Sequence, residues 1–232
     1  MQFVFGRHAE FRLPHVLTIG NFDGVHVGHQ RVIHQAQQVA KQLQLPLTVL
    51  LFEPQPKEYF SDRIGQVAPA RLMNLKSKVA ALSALRVDCT WCLKFSDIRP
   101  MSAETFVNQL VAGKRVRYLV VGDDFRFGCD RQGDFNYLIA AGERSGFTVE
   151  QSDTYRVGDE RVSSSRIRDL LKTHDFDGAS QLLGRQYALC GRVCYGQQLG
   201  RKIGFPTANI ALSNPPPLHG CLLYTSDAAD EV

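Results

Sequence analysis

Short apolar segments with strand character alternate with longer segments of helical periodicity over about the first 170 residues. The strands are almost continuously apolar, which is typical of a parallel sheet covered by helices on both faces. The pattern therefore predicts an α/β fold with ligand sites beyond the carboxyl ends of the strands. The predicted strands are 16–20, 47–52, 87–93 and 118–122, and the predicted helices are 30–43, 71–85, 103–112 and 135–144.

The pattern changes near residue 184, where strand-like sequence with no helical period begins. Glycines interrupt it at short intervals, which indicates turns of a small β domain. We therefore predict a first domain over residues 1–183 and the start of a β-barrel over 184–220, a segment too short to close a barrel core by itself. Residues 221–232 are expected to belong to neither domain.

Composition and charge narrow the functional class. The 232 residues are 44% hydrophobic, and 27 Lys and Arg against 23 Asp and Glu give a net charge of +4. The positive residues are scattered, so no nucleic-acid partner is expected. No apolar run approaches the roughly 20 residues of a membrane span, and the N-terminus lacks a secretory signal pattern. These features predict a cytoplasmic protein, leave room for a local basic pocket that binds phosphates, and leave the oligomeric state open.

Two of the six cysteines, Cys89 and Cys92, have the C-x-x-C spacing of some metal and redox sites. No second such pair and no paired histidines accompany them. We therefore predict a buried strand in which both thiols act as small hydrophobic groups.

The residues that follow the first predicted strand carry a strong chemical signal. Residues 20–29 read Gly-Asn-Phe-Asp-Gly-Val-His-Val-Gly-His. A strand end, a glycine-rich turn and a helix start together favour phosphate, because backbone N–H groups and the positive helix end converge there. His26 and His29 are three residues apart, so at a helix start both imidazoles face the same way. Gly28 leaves room for a ligand to approach the backbone.

A second candidate segment, residues 161–168, reads Arg-Val-Ser-Ser-Ser-Arg-Ile-Arg. Ser163 or Ser164 can cap the helix that follows, and their hydroxyl and amide groups can hold phosphate oxygens. Arg168, one turn into that helix, can bind a phosphate with two hydrogen bonds. Taken alone this is an ordinary capped helix, but combined with the histidine pair it indicates a nucleotide site.

Together the two segments resemble the HxGH and S-S-T-x-x-R signatures of the nucleotidyltransferase superfamily. The chain is most similar to the bacterial bifunctional riboflavin kinase/FMN adenylyltransferases, also called FAD synthetases. Ser165 stands where that family usually has threonine, which keeps the hydroxyl group. The similarity runs from about residue 15 to 220 and also includes 52–56, 69–72, 121–128, 191–193 and 200–209.

This resemblance implies a Rossmann-like nucleotidyltransferase domain followed by an incomplete β-barrel riboflavin kinase domain. It also implies transfer of AMP from ATP to FMN, with Mg²⁺, to give FAD and pyrophosphate. The loop around residues 122–128 would bind flavin and nucleotide, although each phenylalanine in it could equally be a hydrophobic staple of the loop. The implied residues are His26, His29 and Arg168 for catalysis; Gly20, Phe22, Gly28, Gly122, Ser164 and Ser165 for the nucleotide; and Asn21, Asp23, Asp124, Phe125 and Phe127 for the flavin.

Residues 204–209, Gly-Phe-Pro-Thr-Ala-Asn, look like the riboflavin kinase signature. The resemblance assigns Gly204, Pro206, Thr207 and Asn209 to ATP, with Thr207 and Asn209 as oxygen ligands of the Mg²⁺ that accompanies it. The family's catalytic glutamate would lie further along, and after Gly220 the similarity is expected to stop. We therefore expect adenylyl transfer but not riboflavin phosphorylation from this chain.

Two other functions remain open at the level of sequence. One is a different HxGH nucleotidyltransferase, although an aminoacyl-tRNA synthetase would need a KMSKS-like loop, which is absent. The other is a non-catalytic flavin- or nucleotide-binding remnant. A remnant predicts loss of the site residues, whereas His26, His29, Ser164 and Arg168 are all present.

Overall fold

The computed structural model describes residues 1–212 and 214–218, and a six-stranded sheet forms its centre. All five neighbouring pairs in the sheet are parallel, in the order β1-β4-β3-β2-β5-β6. The predicted parallel sheet is confirmed, with an additional strand at each edge. The strands are β1 Gln2–Phe5, β2 His15–Ile19, β3 Leu47–Glu53, β4 Cys89–Lys94, β5 Val116–Gly122 and β6 Thr148–Ser152.

Helices cover both faces of this sheet, as predicted, and the strands alternate between two hydrophobic clusters. Ile19 belongs with Leu138 to one cluster, and Val16 belongs with Ile33 and Leu82 to the other. This alternation follows from the two-residue period of a strand. The helices are α1 Val27–Leu43, α2 Pro56–Arg63, α3 Leu75–Ala84, α4 Phe95–Ile98, α5 Ala103–Phe106, α6 Phe135–Ser145, α7 Ser164–Lys172, α8 Phe176–Leu183 and α9 Leu199–Lys202.

The helix predicted over 71–85 begins later than expected, at Leu75. Asn74 caps it, because its side chain accepts a hydrogen bond from the N–H of Ser77 at 2.8 Å. Arg71 lies outside the helix and pairs with two glutamates. The apolar spacing alone could not reveal this start, since it continues unbroken through the cap.

The helix predicted over 103–112 is regular only in α5. Ser102 caps it as expected, accepting a hydrogen bond from the N–H of Thr105 at 3.1 Å. The chain then widens into a π-helical segment, Val107–Val111, and tightens into a 3₁₀ turn, Ala112–Lys114. The α-helical and π-helical turns thus share one buried apolar stripe, and its spacing did not distinguish them.

The order of the strands creates a topological switch point beside β2. The chain moves from β2 to β3 and β4 on one side, then returns to place β5 and β6 on the other. The carboxyl ends of β2 and β5 are therefore adjacent, with Gly20 after one and Gly122 at the end of the other. In open α/β sheets this is where ligands bind.

Two small antiparallel sheets complete the described residues. β7 Arg156–Val157 pairs with β8 Glu160–Arg161, and β9 Arg192–Cys194 pairs with β10 Asn209–Ala211. The strand character predicted after residue 184 is therefore present in part, together with the short helix α9, which was not predicted. The prediction for residues 221–232 lies outside the described residues.

Two further expectations concern burial and membranes. Cys89 and Cys92 lie buried in β4 as free thiols, and desolvation raises the pKa of Cys92 to about 11. The interpretation of this segment as a buried strand is confirmed. Among residues 1–212 and 214–218, we find no helix with the length and apolarity that a membrane crossing requires.

Candidate active site

A cavity of about 1020 Å³ opens over the carboxyl ends of β2 and β5. Its walls include the turn after β2, the loop after β5 and the start of α7. The structure thus brings together the turn after β2 and the start of α7, which lie more than 100 residues apart in sequence. The predicted residues that line it are Gly20, Asn21, Phe22, Asp23, His26, Gly28, His29, Gly122, Asp124, Phe125, Phe127, Ser164, Ser165 and Arg168.

His26 and His29 form a stacked pair at the start of α1. Their ring centroids lie 3.5 Å apart and the planes differ by 17°. Nδ1 of His26 accepts a hydrogen bond from the N–H of His29 at 3.3 Å, so His26 caps the helix. The helix therefore begins at Val27 rather than at residue 30 as predicted. Since Nδ1 is an acceptor, the proton of a neutral His26 ring lies on Nε2.

Burial keeps both imidazoles uncharged near pH 7. Desolvation lowers the pKa of His26, and together with the positive charges of Arg168, Arg185 and Arg161 it brings that pKa to about 4. Desolvation also holds the pKa of His29 well below its usual value. Both rings can therefore donate hydrogen bonds to phosphate oxygens without carrying a charge.

The start of α7 adjoins the turn after β2. Of the two serines proposed as caps, Ser163 is the one that caps the helix, accepting from the N–H of Arg166 at 3.2 Å. The hydroxyl of Ser164 instead donates to the backbone carbonyl of Asp23 at 2.9 Å. The positive end of the α7 dipole thus faces the same cavity as the histidine pair.

Arg168 and Asp23 form a buried ion pair at the base of the cavity, with side chains 10% and 3% exposed. Nε of Arg168 also donates to the carbonyl of Ala70 at 2.6 Å. The Asp23 carboxylate accepts a further hydrogen bond from the N–H of Leu72 at 3.2 Å. The resemblance assigned Asp23 to flavin, but in this structure it holds Arg168, because a buried charge needs a partner of opposite sign.

A second set of charged residues, which the sequence analysis did not assign to the site, is partly or fully buried. Arg71 pairs with both Glu53 and Glu58, joining the end of β3 to α2. Lys78 is fully buried, its Nζ donates to the carbonyl of Asn21 at 2.7 Å, and desolvation lowers its pKa. Lys78 lies on the same α3 stripe as apolar residues, and a lysine in such a stripe is the signal that would have identified it.

The two phenylalanines after β5 have different environments. Phe127 is only 5% exposed and packs between Phe106 and Tyr137, with ring centroids 5.0 and 5.8 Å away. It is mainly a hydrophobic staple, the alternative that the sequence left open. Phe125 is half-buried and stacks on Phe127 at 5.7 Å, so it is the better placed of the two to contact a flavin ring. Asp124 is exposed and pairs with Arg161 at 3.3 Å.

Two family models match the chain. The FAD synthetase model matches residues 9–166, more than half of the chain. The chain belongs to the FAD synthetase family. The riboflavin kinase model matches residues 183–229, so this match continues past Gly220, where the resemblance was expected to stop.

Relatives with the same pair of activities in their names support this membership. Each is called bifunctional riboflavin kinase/FMN adenylyltransferase. The Haemophilus influenzae protein is 47% identical over 91% of this chain and 69% of its own length. The Pseudomonas fluorescens protein is 46% identical over 98% and 73%, and the Escherichia coli K12 protein is 42% identical over 91% and 68%.

A solved structure has the same overall fold. The crystal structure titled macrolide-efflux protein from Streptococcus pneumoniae superposes with a TM-score of 0.79 and covers 95% of this chain and 73% of its own. The two chains are 24% identical, so the likeness shows the fold alone.

The residues assigned to the kinase signature lie apart from the cavity. Gly204, Pro206, Thr207 and Asn209 are all exposed, and none of them lines it. Thr207 and Asn209 offer two neutral oxygens, which suits a magnesium ion that arrives with phosphates and keeps several waters rather than one held by protein alone. Within the described part of the chain, no cluster of three or more His, Cys, Asp or Glu side chains is arranged to hold a metal.

Proposed function

We propose that this chain transfers the AMP group of ATP to FMN, giving FAD and pyrophosphate. The observation that carries the proposal is the stacked, uncharged pair His26 and His29 facing the start of α7 at the switch point of the sheet. Membership of the FAD synthetase family supplies the identity of the two substrates. Cytoplasmic location and the absence of a nucleic-acid partner belong to the same proposal.

The transfer is written as one direct displacement. An oxygen of the FMN phosphate forms a bond to the α-phosphorus of ATP. The bond from that phosphorus to the oxygen bridging to the β-phosphate breaks, and this oxygen leaves with the electron pair in pyrophosphate. Among the described residues of the cavity, no Ser, Thr or Cys side chain is hydrogen-bonded to a histidine, so direct transfer is favoured over a covalent enzyme intermediate.

The histidine pair and α7 are assigned to different parts of the triphosphate. His26 and His29 donate hydrogen bonds to the α- and β-phosphates and stabilise the charge that develops on the transferring group. Ser164 and Ser165 at the start of α7 bind the β/γ end. Arg168 adds positive charge on the same side while remaining paired with Asp23. Catalysis is then mainly positioning and charge stabilisation.

The flavin is assigned to the part of the cavity after β5, where Asp124 and Phe125 lie, with Asn21 from the turn after β2. The magnesium ion is assigned to the substrate, where it would neutralise phosphate charge. We place this activity in residues 1–183 and the start of the riboflavin kinase domain in residues 184–220.

Purified protein incubated with Mg-ATP and FMN tests the proposal, with the flavins and pyrophosphate measured after separation. We expect FAD and pyrophosphate in equal amounts. A binding remnant would retain FMN without forming FAD. A nucleotidyltransferase of another specificity would leave FMN unchanged and release pyrophosphate only with a different phosphate acceptor.

A further inference from the structure

The turn that carries the histidine pair has an unusual backbone. Phe22 and Val25 have φ angles of 45° and 41°, in the left-handed region that residues with a Cβ rarely adopt. For a β-branched residue such as Val25 this is a true outlier. A conformation of this kind persists only where the surrounding structure holds it in place.

Side chains from two helices hold the first half of the turn. Nζ of Lys78, from α3, donates to the carbonyl of Asn21 at 2.7 Å. The hydroxyl of Ser164, from α7, donates to the carbonyl of Asp23 at 2.9 Å. Both donors belong to the region matched by the FAD synthetase model.

The second half of the turn depends on a residue outside that match. Arg185 donates to the carbonyl of Gly24 at 2.6 Å and to that of Val25 at 3.3 Å. It also donates to the carbonyl of Leu183, the last residue of α8, at 3.2 Å. Gln30 of α1 makes a parallel bridge, to Val25 at 2.9 Å and Leu183 at 3.0 Å. Arg185 therefore ties the end of α8 to the residues immediately before His26.

The segment around Arg185 also contacts the region matched by the FAD synthetase model and the helices next to it. Tyr187 is half-buried and packs against the hydrophobic cluster of α7 and α8. The carbonyl of Cys190 accepts a hydrogen bond from the side-chain amide of Asn74 at 2.9 Å. Tyr187 and Cys190 fall within the riboflavin kinase match, 183–229, whereas Asn74 caps α3 in the FAD synthetase match. The start of the second match is thus packed onto the phosphate-binding side of the first.

We propose that Arg185, in the segment joining the two matched regions, is a positioning residue for adenylyl transfer that fixes the Gly24–Val25 backbone and thereby places His26. The inference rests on the proposed function. A guanidinium group spans two carbonyls with fixed geometry, which a lysine cannot do. Its charge also adds to those of Arg168 and Arg161 in keeping His26, stacked on His29, uncharged.

The test compares R185A, R185K and R192A in the full chain. Arg192 is the matched control, an exposed arginine of β9 in the same region. Initial rates with Mg-ATP and FMN give kcat and both KM values, and amide hydrogen exchange reports on residues 21–26. We expect kcat of R185A to fall about 10- to 100-fold, because a small misplacement of a catalytic group has this effect. We expect KM for FMN to change less than about twofold, R185K to lie between, and exchange over 21–26 to accelerate only in the Arg185 variants.

The inference is overturned if R185A has the same kcat, and the same exchange rate over residues 21–26, as the control R192A. If R185A does not fold, R185K decides the matter: wild-type kcat and exchange overturn it, and a loss of about threefold or more with faster exchange supports it. Wild-type protein that forms no FAD contradicts the proposed function instead. In that case the exchange of residues 21–26 still shows whether Arg185 holds the turn.

Discussion

His26 and His29 both line the cavity, yet neither carries a charge near neutral pH. A protonated pair with centroids 3.5 Å apart would suffer strong repulsion in addition to the cost of burial. Neutral rings avoid this and still donate hydrogen bonds. The positive charge of the cavity therefore comes mainly from arginines, while the histidines supply hydrogen-bond donors of fixed direction.

We predict that H29A lowers the turnover number for FAD formation by about 10²- to 10³-fold, because it removes one donor to the transferring phosphate. Flavin binding should survive, since the proposed flavin residues lie after β5 and in the first half of the turn. Steady-state rates and a fluorescence titration with FMN measure the two effects.

H34A is the matched control for this variant. His34 lies on the same helix, α1, and is exposed. Its replacement should leave turnover within about twofold of the wild type. If H29A is as active as H34A, the proposed role of His29 in adenylyl transfer is contradicted.

The pKa shifts of two buried histidines predict that the protein loses stability in mild acid. His15 and His26 have pKa values of about 4 in the folded protein, against 6.5 for an unperturbed imidazole. Between these values the unfolded chain binds the proton and the folded chain does not, so stability present above pH 6.5 declines as the pH falls toward 4. We expect a loss of about 2 kcal/mol per histidine by pH 5.

Urea unfolding at several pH values between about 7.5 and 5 measures this loss. H15L removes one of three such groups, because burial lowers the pKa of His29 as well, and it should flatten the dependence by roughly a third. A free energy of unfolding that stays constant over this range in the wild type would show that these histidines titrate normally.

At the level of elements, the ion pair between Asp23 and Arg168 joins the turn after β2 to α7. The two segments are 145 residues apart in sequence, and the pair is nearly inaccessible to water. A buried pair of this kind contributes little relative to apolar packing, but breaking one half of it is costly. It therefore serves mainly to hold the turn after β2 and α7 in one relative position.

We predict that D23N lowers the free energy of unfolding by about 3–5 kcal/mol, because the Arg168 guanidinium then stays buried without a counter-charge. D169N, which removes the partner of Lys172 in an exposed pair on the same helix, should cost less than about 1 kcal/mol. Chemical denaturation of both variants makes the comparison. Equal losses of unfolding free energy in D23N and D169N would mean that breaking the buried pair costs no more than breaking the exposed one.

At the scale of the whole molecule, the two matched regions differ in the size of their sheets and in the burial of their apolar residues. The first contains five of the six strands of the parallel sheet, which has a hydrophobic core on each face. The described part of the second contains the two-stranded sheet of β9 and β10, and its large apolar residues Val193, Tyr195 and Phe205 are 68%, 91% and 75% exposed. A two-stranded sheet with so little burial is marginally stable at best.

We predict that the 232-residue chain converts FMN to FAD but forms no FMN from riboflavin and Mg-ATP. Phosphoryl transfer needs a group to orient the attacking hydroxyl as well as metal ligands. Thr207 and Asn209 are exposed and offer only metal ligands, not a group that orients the hydroxyl. Separation of flavins after parallel incubations measures both reactions, and FMN above a no-enzyme control would contradict the prediction.

The local chemistry could be predicted from the sequence because it depends on neighbours along the chain. The strands β2 to β5 follow from apolar runs, and the parallel orientation of His26 and His29 follows from a spacing of three at a helix start. The edge strand β6 escaped prediction because it is half polar, Thr-Val-Glu-Gln-Ser.

Long-range pairing was decided only by the tertiary structure. Asp23 meets Arg168, Lys78 reaches the carbonyl of Asn21, and Arg185 reaches that of Gly24. Their partners are 57 to 161 residues away, and no periodicity carries that information. The charge state of the histidines belongs here too, because desolvation arises only when the chain packs around them. The sequence by itself thus determined several of the groups that line the cavity, and folding determined which of them are paired and which are charged.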